Sequence, residues 1–374
     1  MSKAKKIVHL STVHPVRDTR ILYKEVWSLA VNNFEVMLAA QCKKTQESLE
    51  GIKILCLPTP KNRFSRFFGS AYRACMLSLH ERADVYHFHD PELIPVGLLL
   101  RVMGKKVVYD VHEDLPRQIL SKHWIPSMFR GLVSKTAAIT EWIAAKFMSG
   151  IVAATPAIAK RFPAHKTVVV QNFPLLSEFE DVDGIPYQDR PMQIAYVGGI
   201  SAIRGAREMI RAMEYLPEKL RARLAMAGAF SPPELEGEIR KLPGWHYVDF
   251  LGWQDRRSVA KLLGRSRVGL VLFHPEPNHM EAQPNKLFEY MAAGIPVVAS
   301  NFPLWREIVE GDGCGLTVDP RDPKAIAEAI QWLLEHPKEA EEMGKRGRRA
   351  VLEKYNWDRE AEKLLDLYRR LLAR

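Results

Sequence analysis

Cysteine is scarce in this 374-residue chain: Cys42, Cys56, Cys75 and Cys314 form no C-x-x-C pair and no framework spacing. A disulfide scaffold and a cysteine-built zinc site lose their basis, and reduced thiols in a cytoplasmic protein become the expectation. Long apolar runs are lacking too. A membrane span needs roughly 18 uninterrupted apolar residues, whereas the best run, LIPVGLLL, stops at Arg101. The start, MSKAKKIVHLS, is basic like a signal peptide, but its apolar run is short and no small-residue cleavage site follows, so it reads as a first strand. No G-x-G-x-x-G follows either the first strand or QIAYV, which argues against an NAD-dependent dehydrogenase. Low-complexity tracts are missing as well, so the whole chain should fold.

What is present is unevenly distributed. Residues 1–178 hold 25 Lys+Arg against 14 Asp+Glu, a difference of +11, and the remainder holds 29 against 30, a difference of −1, giving the net +10. An anionic partner for the first half follows, with membrane surface, phosphorylated acceptor and nucleic acid as candidates. Short apolar runs (KIVHLS, EVMLAA, IKILCLP, DVYHFHD, KVVYDVH, GIVAAT, TVVVQNF) alternate with helix patterns, as at 18–31. After a polar stretch near 176–191 the alternation restarts with QIAYVGG, RLAMAG, HYVDFLG, RVGLVLF, PVVAS and CGLTV, with helix patterns at 206–215, 257–264 and 323–335. Buried parallel strands with helices on both faces predict an α/β chain of two doubly wound, Rossmann-like domains facing across a cleft. The expected boundaries are 1–178, a linker at 179–191, 192–355, and a C-terminal helix over 356–374 that packs back on the first domain.

Two carboxylates, Glu281 and Glu289, frame the start of a short helix in EAQPNKLFEYMAAGIPVVAS. Lys286 lies in its first turn, where the macrodipole disfavours a second cation. Either Lys286 points into solvent, or the amides of Asn285, Lys286 and Leu287 cradle a phosphate with it. The strand QIAYV ends at Gly198 and Gly199, and Arg204 follows in the loop to the next helix. Such a glycine pair either makes an ordinary tight turn or lets backbone approach a ligand. A glycosidase-like acid/base pair fits Glu281 and Glu289 poorly, because eight helical residues rise about 12 Å and such carboxylates sit roughly 5–9.5 Å apart. Two carboxylates gripping vicinal hydroxyls on either side of a phosphate fit better.

In the first half, DVYHFHD carries His87, His89 and Asp90, and KVVYDVH delivers His112, Glu113 and Asp114 to the same rim. His87 and His89 share a strand face, so a metal site with Asp90 or His112 is conceivable, but hydrogen-bonded rim histidines are the commoner outcome. His112, at the end of a long buried strand, is the one expected to meet substrate hydroxyls. The segment 61–82 interleaves Arg63, Arg66 and Arg73 with Phe64, Phe67, Phe68 and Tyr72, and HWIPSMFRGL adds Trp124, Ile125, Met128 and Phe129. A core helix with a basic face competes there with contact to an anionic membrane surface. Nucleic acid fits worse, for lack of a binding motif.

The residues resemble the retaining family 4 glycosyltransferases of GT-B fold over nearly the whole chain. The resemblance rests on the spaced glutamates Glu281 and Glu289 with YMAAGIPVV, on YVGGISAIRG, on DFLGW and on DVHED. It implies a nucleoside-diphosphate sugar, UDP by default, as substrate of the C-terminal domain, an acceptor on the N-terminal domain, and no cofactor or obligatory metal. Glu281 would then hold donor-sugar hydroxyls, Glu289 the ribose, Arg204, Lys286 and the Gly198–Gly199 backbone the diphosphate, and Leu251, Gly252 and Trp253 the base. His112 would meet the sugar, and His14, Arg17, Asp18, Arg20, His89 and Glu113 are acceptor-side candidates. The chain departs from the family where His14 to Arg20 replace a glycine pair and where Gly199 replaces an arginine. The variant pattern resembles bacterial surface-polysaccharide enzymes, implying a hexosyl- or N-acetylhexosaminyltransferase with a glycan or lipid-linked acceptor, at the inner face of the membrane. Alternatives are a nucleotide-sugar epimerase and a non-catalytic nucleotide-sugar sensor.

Overall fold

A computed structural model describes residues 4–42, 48–49, 51–59, 69–122, 125–180 and 185–373. The chain divides into two compact units, one formed by residues 1–172 with 357–374 and the other by residues 173–356.

Unit 1 holds β1 (Lys6–Pro15), β2 (Glu35–Cys42), β3 (Ser48–Leu49), β4 (Ile52–Pro58), β5 (Val85–Phe88), β6 (Lys106–Val111), β7 (Gly150–Ala153) and β8 (Thr167–Val169). They form one sheet in the order β3-β4-β2-β1-β5-β6-β7-β8, parallel except for the β3–β4 pair. Alternation along the central strands sorts the two faces. Val8, Leu10, Tyr86, Phe88, Tyr109 and Val111 join an apolar core on one side. His9, His87 and Asp110, at the intervening positions, point to the other. There the helix Thr19–Val26 supplies Arg20 and Glu25, and the C-terminal helix Trp357–Ala373 supplies Tyr368, all buried. The C-terminal helix is fastened by Trp357, whose indole N–H donates to Ser28 Oγ at 2.8 Å, and by Glu360, which accepts from the Gln171 amide at 2.8 Å.

Unit 2 holds β9 (Gln193–Val197), β10 (Arg223–Ala227), β11 (Val248–Gly252), β12 (Val268–Val271), β13 (Val297–Ser300) and β14 (Gly315–Val318). The all-parallel order β11-β10-β9-β12-β13-β14 reverses direction between β9 and β12, the switch point at which doubly wound sheets bind ligands. Apolar cores cover both faces, as parallel sheets require.

Two expectations need correcting. The boundary falls at Asn172/Phe173. Phe173 packs edge to face against Phe288 with ring centres 4.8 Å apart and Phe179 is buried, so both belong to the core of unit 2. Of the stretch read as linker, Tyr187 is buried too and its hydroxyl donates to the Arg267 carbonyl at 2.8 Å. Cys42 and Cys56 are joined in a disulfide, Cα atoms 5.3 Å apart, because β2 and β4 pair directly. Cys75 and Cys314 are free thiols.

Candidate functional site

Unit 2 gathers its polar groups at the C-terminal ends of β9, β10 and β11. Gly198 N–H donates to the Ala227 carbonyl at 2.8 Å, and Gly228 N–H donates to the Gly252 carbonyl at 2.7 Å. The closeness is enforced at Gly228, where a Cβ would stand 2.0 Å from the Gly198 carbonyl oxygen. Gly198 has φ +108°, which side-chain-bearing residues rarely adopt. The Gly199 carbonyl accepts from the Tyr196 hydroxyl at 2.6 Å and from Arg204 Nη1 at 3.3 Å. The Arg204 guanidinium also lies 5.4 Å from the centre of the Phe273 ring.

Lys286 does not point into solvent. It opens the helix Asn285–Ala292, is 7% exposed, and directs its Nζ over the Tyr196 ring, 3.7 Å from the centre and within 3.4 Å of where a Cβ on Gly198 would stand. Among the described residues that ammonium has no hydrogen-bond partner. Burial, and then the Arg204 charge, hold its pKa well below the ordinary lysine value. Pro284 precedes the helix and no side chain caps it; the Leu287 N–H turns back onto the Pro284 carbonyl at 3.0 Å, which removes it from the expected cradle, and the amides of Asn285 and Lys286 remain for a ligand. A buried unpaired cation, a guanidinium and uncapped helix amides are together an arrangement that favours an anion.

The two glutamates differ. Glu289 is buried inside the helix and Arg256 Nη1 donates to its Oε1 at 2.7 Å, while Arg256 Nε donates to Glu178 at 3.0 Å. Glu281 is exposed, in the turn before the helix. That turn is pinned from below, where the Trp305 indole N–H donates to the Ala282 carbonyl at 2.7 Å. On the β11 side, Leu251 and Trp253 are exposed, Trp253 at 77%, and Gly252 turns the chain with φ +65°. Arg256 and Glu178 carried no sequence signal, since they lie in different segments and meet only after folding.

Unit 1 carries a different cluster. Asp110 Oδ2 is 3.2 Å from His112 Nε2 and 3.5 Å from both His87 Nε2 and His89 Nδ1. Arg20 Nη2 donates to Asp110 Oδ1 at 3.2 Å, and its Nε lies 2.9 Å from Glu25 Oε1. A chain of ring nitrogens runs from His9 through His89 to His112, with separations of 3.0 Å and 2.9 Å, and the Tyr368 hydroxyl closes it on His87 at 2.6 Å and His9 at 3.3 Å.

Burial holds His9, His87 and His89 below the ordinary histidine value. For Asp110, burial opposes ionisation, but Arg20 and then His112 outweigh it and hold the carboxyl well below its usual range. Burial and then the Asp110 charge push Glu25 well above its own. His9, Glu25, His87 and His89 have ligand atoms within 4.8 Å of one another, as do His89, Asp110 and His112. The Arg20 guanidinium on both carboxylates already supplies the positive charge a metal would bring.

This burial corrects two acceptor-side expectations. Arg20 and His89 are enclosed and engaged, so neither reaches a substrate. Asp90, considered above as a ligand, instead clasps the end of β1, accepting from the Thr12 amide at 2.6 Å and the Val13 amide at 3.2 Å. Nearer the surface, His14 and His112 come together with ring centres 5.5 Å apart. The Asp18 side chain caps the helix Thr19–Val26 and lies 3.2 Å from His14 Nδ1. Burial opposes charge on His14, yet the bond to Asp18 outweighs it and raises the imidazole above its ordinary value. Arg17 and Glu113 are exposed, Arg17 beside the Tyr23 hydroxyl at 3.3 Å and Glu113 bonded to Gln118. Of the segment 61–82, residues 61–68 lie outside the described residues, as do His123 and Trp124; in the helix Ala71–Glu81, Ala74 and Ser78 are buried while Tyr72 and Met76 are exposed. No described helix is long and apolar enough to cross a membrane.

Residues 178–350 match the family described as Glycosyl transferases group 1. An uncharacterized glycosyltransferase of Methanocaldococcus jannaschii, MJ1607, is 31% identical over 186 residues, which cover 50% of this chain and 46% of that protein. The chain thus spans about half the length of that curated relative. Among solved structures, sucrose-phosphate synthase from Thermosynechococcus elongatus matches with a TM-score of 0.79 and 21% identity, covering 99% of each chain. Anabaena HepE in complex with UDP and glucose matches with a TM-score of 0.75 and 16% identity, covering 98% of this chain and 100% of that one. The likenesses show the fold: two parallel-sheet, Rossmann-like units of the GT-B type.

Proposed function

We propose that this chain, whose residues 178–350 match the glycosyl transferases group 1 family, is a glycosyltransferase. It moves a hexosyl or N-acetylhexosaminyl unit, with retention and without a metal, from a UDP-sugar to a glycan or lipid-linked acceptor in surface-polysaccharide synthesis at the inner membrane face. The observation that carries this reading is the buried Lys286 ammonium, unpartnered, beside Gly198 and uncapped helix amides. A diphosphate gives that cation its missing counter-charge. UDP as the nucleotide is supported by the fold shared with HepE, which was solved with UDP and glucose.

In this reading unit 2 holds the donor. Arg204, the Lys286 ammonium and the amides of Asn285 and Lys286 stabilise charge developing on the leaving diphosphate, generally the largest share of such catalysis. The acceptor hydroxyl attacks on the face the diphosphate leaves and gives its proton to a phosphate oxygen. Glu281 grips donor-sugar hydroxyls; Glu289, held at one oxygen by Arg256, accepts from the ribose with the other. Leu251, Gly252 and Trp253 receive the base. Unit 1 takes the acceptor and contributes His112, whose ring is set by Asp110 and His89; His14, Arg17, Asp18 and Glu113 are its outward polar groups.

The test is Glu281→Gln, assayed against a panel of UDP-sugars with lipid-linked acceptors. Transfer should fall about 100-fold or more, with UDP affinity within about twofold of wild type. Unchanged turnover would sink the assignment of Glu281. A converted donor in the absence of acceptor would identify an epimerase instead.

A further inference from the structure

The helix Ser127–Phe147 of unit 1 is built inside out. Its buried residues are Ser134, Glu141, Ala144 and Ala145, small or polar, while its large apolar side chains face outward. Met128 is 79% exposed, Leu132 65%, Ile139 58%, Trp142 46%, Ile143 47% and Phe147 58%. At 3.6 residues per turn these positions fall in one stripe along the helix, about 30 Å from end to end. A surface helix that served only its own core would show the reverse pattern. The stripe continues at its C-terminal end, where Arg101 Nε donates to the Phe147 carbonyl at 2.8 Å and brings up Val102, 86% exposed, and Met103, 50% exposed.

Charge identifies the occupant. Lys135 and Lys146 are exposed on the same stripe, and Lys146 Nζ sits 3.4 Å from the centre of the Trp142 ring. The one carboxylate of this helix, Glu141, is buried, accepting from the Tyr109 hydroxyl at 2.7 Å and bonded to Arg161. The face is therefore apolar and cationic with no anion of its own. Two copies meeting across it would set like charges together. A bilayer interface offers both acyl chains for the apolar row and phosphates for the lysines, with the Trp142 indole at the boundary.

We propose that the outward face of the helix Ser127–Phe147, extended by Val102 and Met103, lies in the plane of an anionic phospholipid surface. This deepens the proposed membrane contact of unit 1, but vesicle binding is read without sugar or acceptor and so is judged apart from glycosyl transfer. The experiment is co-sedimentation with phosphatidylcholine vesicles, with and without phosphatidylglycerol. Wild type should sediment with the anionic vesicles and about tenfold less with the neutral ones. Lys135→Glu with Lys146→Glu should weaken anionic binding about 25-fold, at about fivefold for each lysine. Ile139→Glu with Ile143→Glu should weaken it at least about tenfold. Both double variants should keep the wild-type melting temperature, since they alter exposed positions. No sedimentation of wild type, undiminished binding by the variants, or a vesicle-free dimer abolished by Ile139→Glu with Ile143→Glu would each overturn the proposal, the last in favour of a second copy.

Discussion

The Lys286 ammonium lies 3.7 Å from the centre of the Tyr196 ring, and no hydrogen-bond acceptor among the described residues reaches it. A buried cation held only by an aromatic face is a cost the folded chain carries until an anion arrives. Lys286→Met should therefore act in opposite directions on two measurements. Without nucleotide the variant should be more stable by about 1–3 kcal/mol, read from urea unfolding. Its UDP affinity should fall about 10- to 100-fold, read by titration calorimetry. Lower stability in the nucleotide-free variant would show that the ammonium is already compensated.

The glycine pair supplies a second test, because its two members meet different neighbours. A Cβ at Gly199 would stand 2.7 Å from Arg204 Nη1, the far end of a flexible side chain. Gly199→Ala should therefore displace the guanidinium, lowering donor affinity several-fold while the melting temperature barely moves. A Cβ at Gly198 must adopt φ +108°, a strain of about 1–3 kcal/mol, so Gly198→Ala should lower stability as well. Equal thermal shifts from the two substitutions would contradict this division.

The histidine cluster makes stability depend on pH. His9, His87 and His89 have folded pKa values below the unfolded one near about 6.5. As pH falls through that value the unfolded chain takes up protons that the folded chain refuses, so stability drops toward acid. Glu25, raised on folding, has the opposite slope: it keeps a proton that the unfolded chain releases above about 4.3, so its contribution falls as pH rises. His14, also raised, adds stability below about 6.5. His9→Gln should flatten the acid limb between about pH 6.5 and 5 by up to about 1.4 kcal/mol per pH unit, measured by urea unfolding across that range. An unaltered slope would mean that His9 titrates normally.

Much of this was legible in the sequence where the information is local. Apolar runs such as QIAYV and PVVAS announced buried parallel strands, and Gly198, Gly199, Arg204 and Lys286 stood at strand ends and a helix start, where phosphates are held. Spacing along the chain left Lys286 undecided between solvent and ligand; the Tyr196 ring and the Gly198 backbone show that it turns inward rather than into solvent. Arg20 and His89 looked available because polar residues near a strand end usually face outward. Their partners, Asp110 and the Val170 carbonyl for Arg20 and His9 for His89, come from other segments. The Cys42–Cys56 bond depends in the same way on which strands become neighbours. The outward face of the helix Ser127–Phe147 was only half visible, since a sequence shows that a helix is amphipathic but not which side the sheet takes.

The fastening of Trp357, Glu360 and Tyr368 into unit 1 has a consequence for how the chain is made. Unit 2 is an insertion within unit 1, so during synthesis the second unit is complete before the first. Residues 4–172 leave the ribosome with His9 and His87 lacking Tyr368, their polar interior open until the final helix arrives. The helix that closes this polar interior thus becomes available only after the whole of unit 2 has been translated.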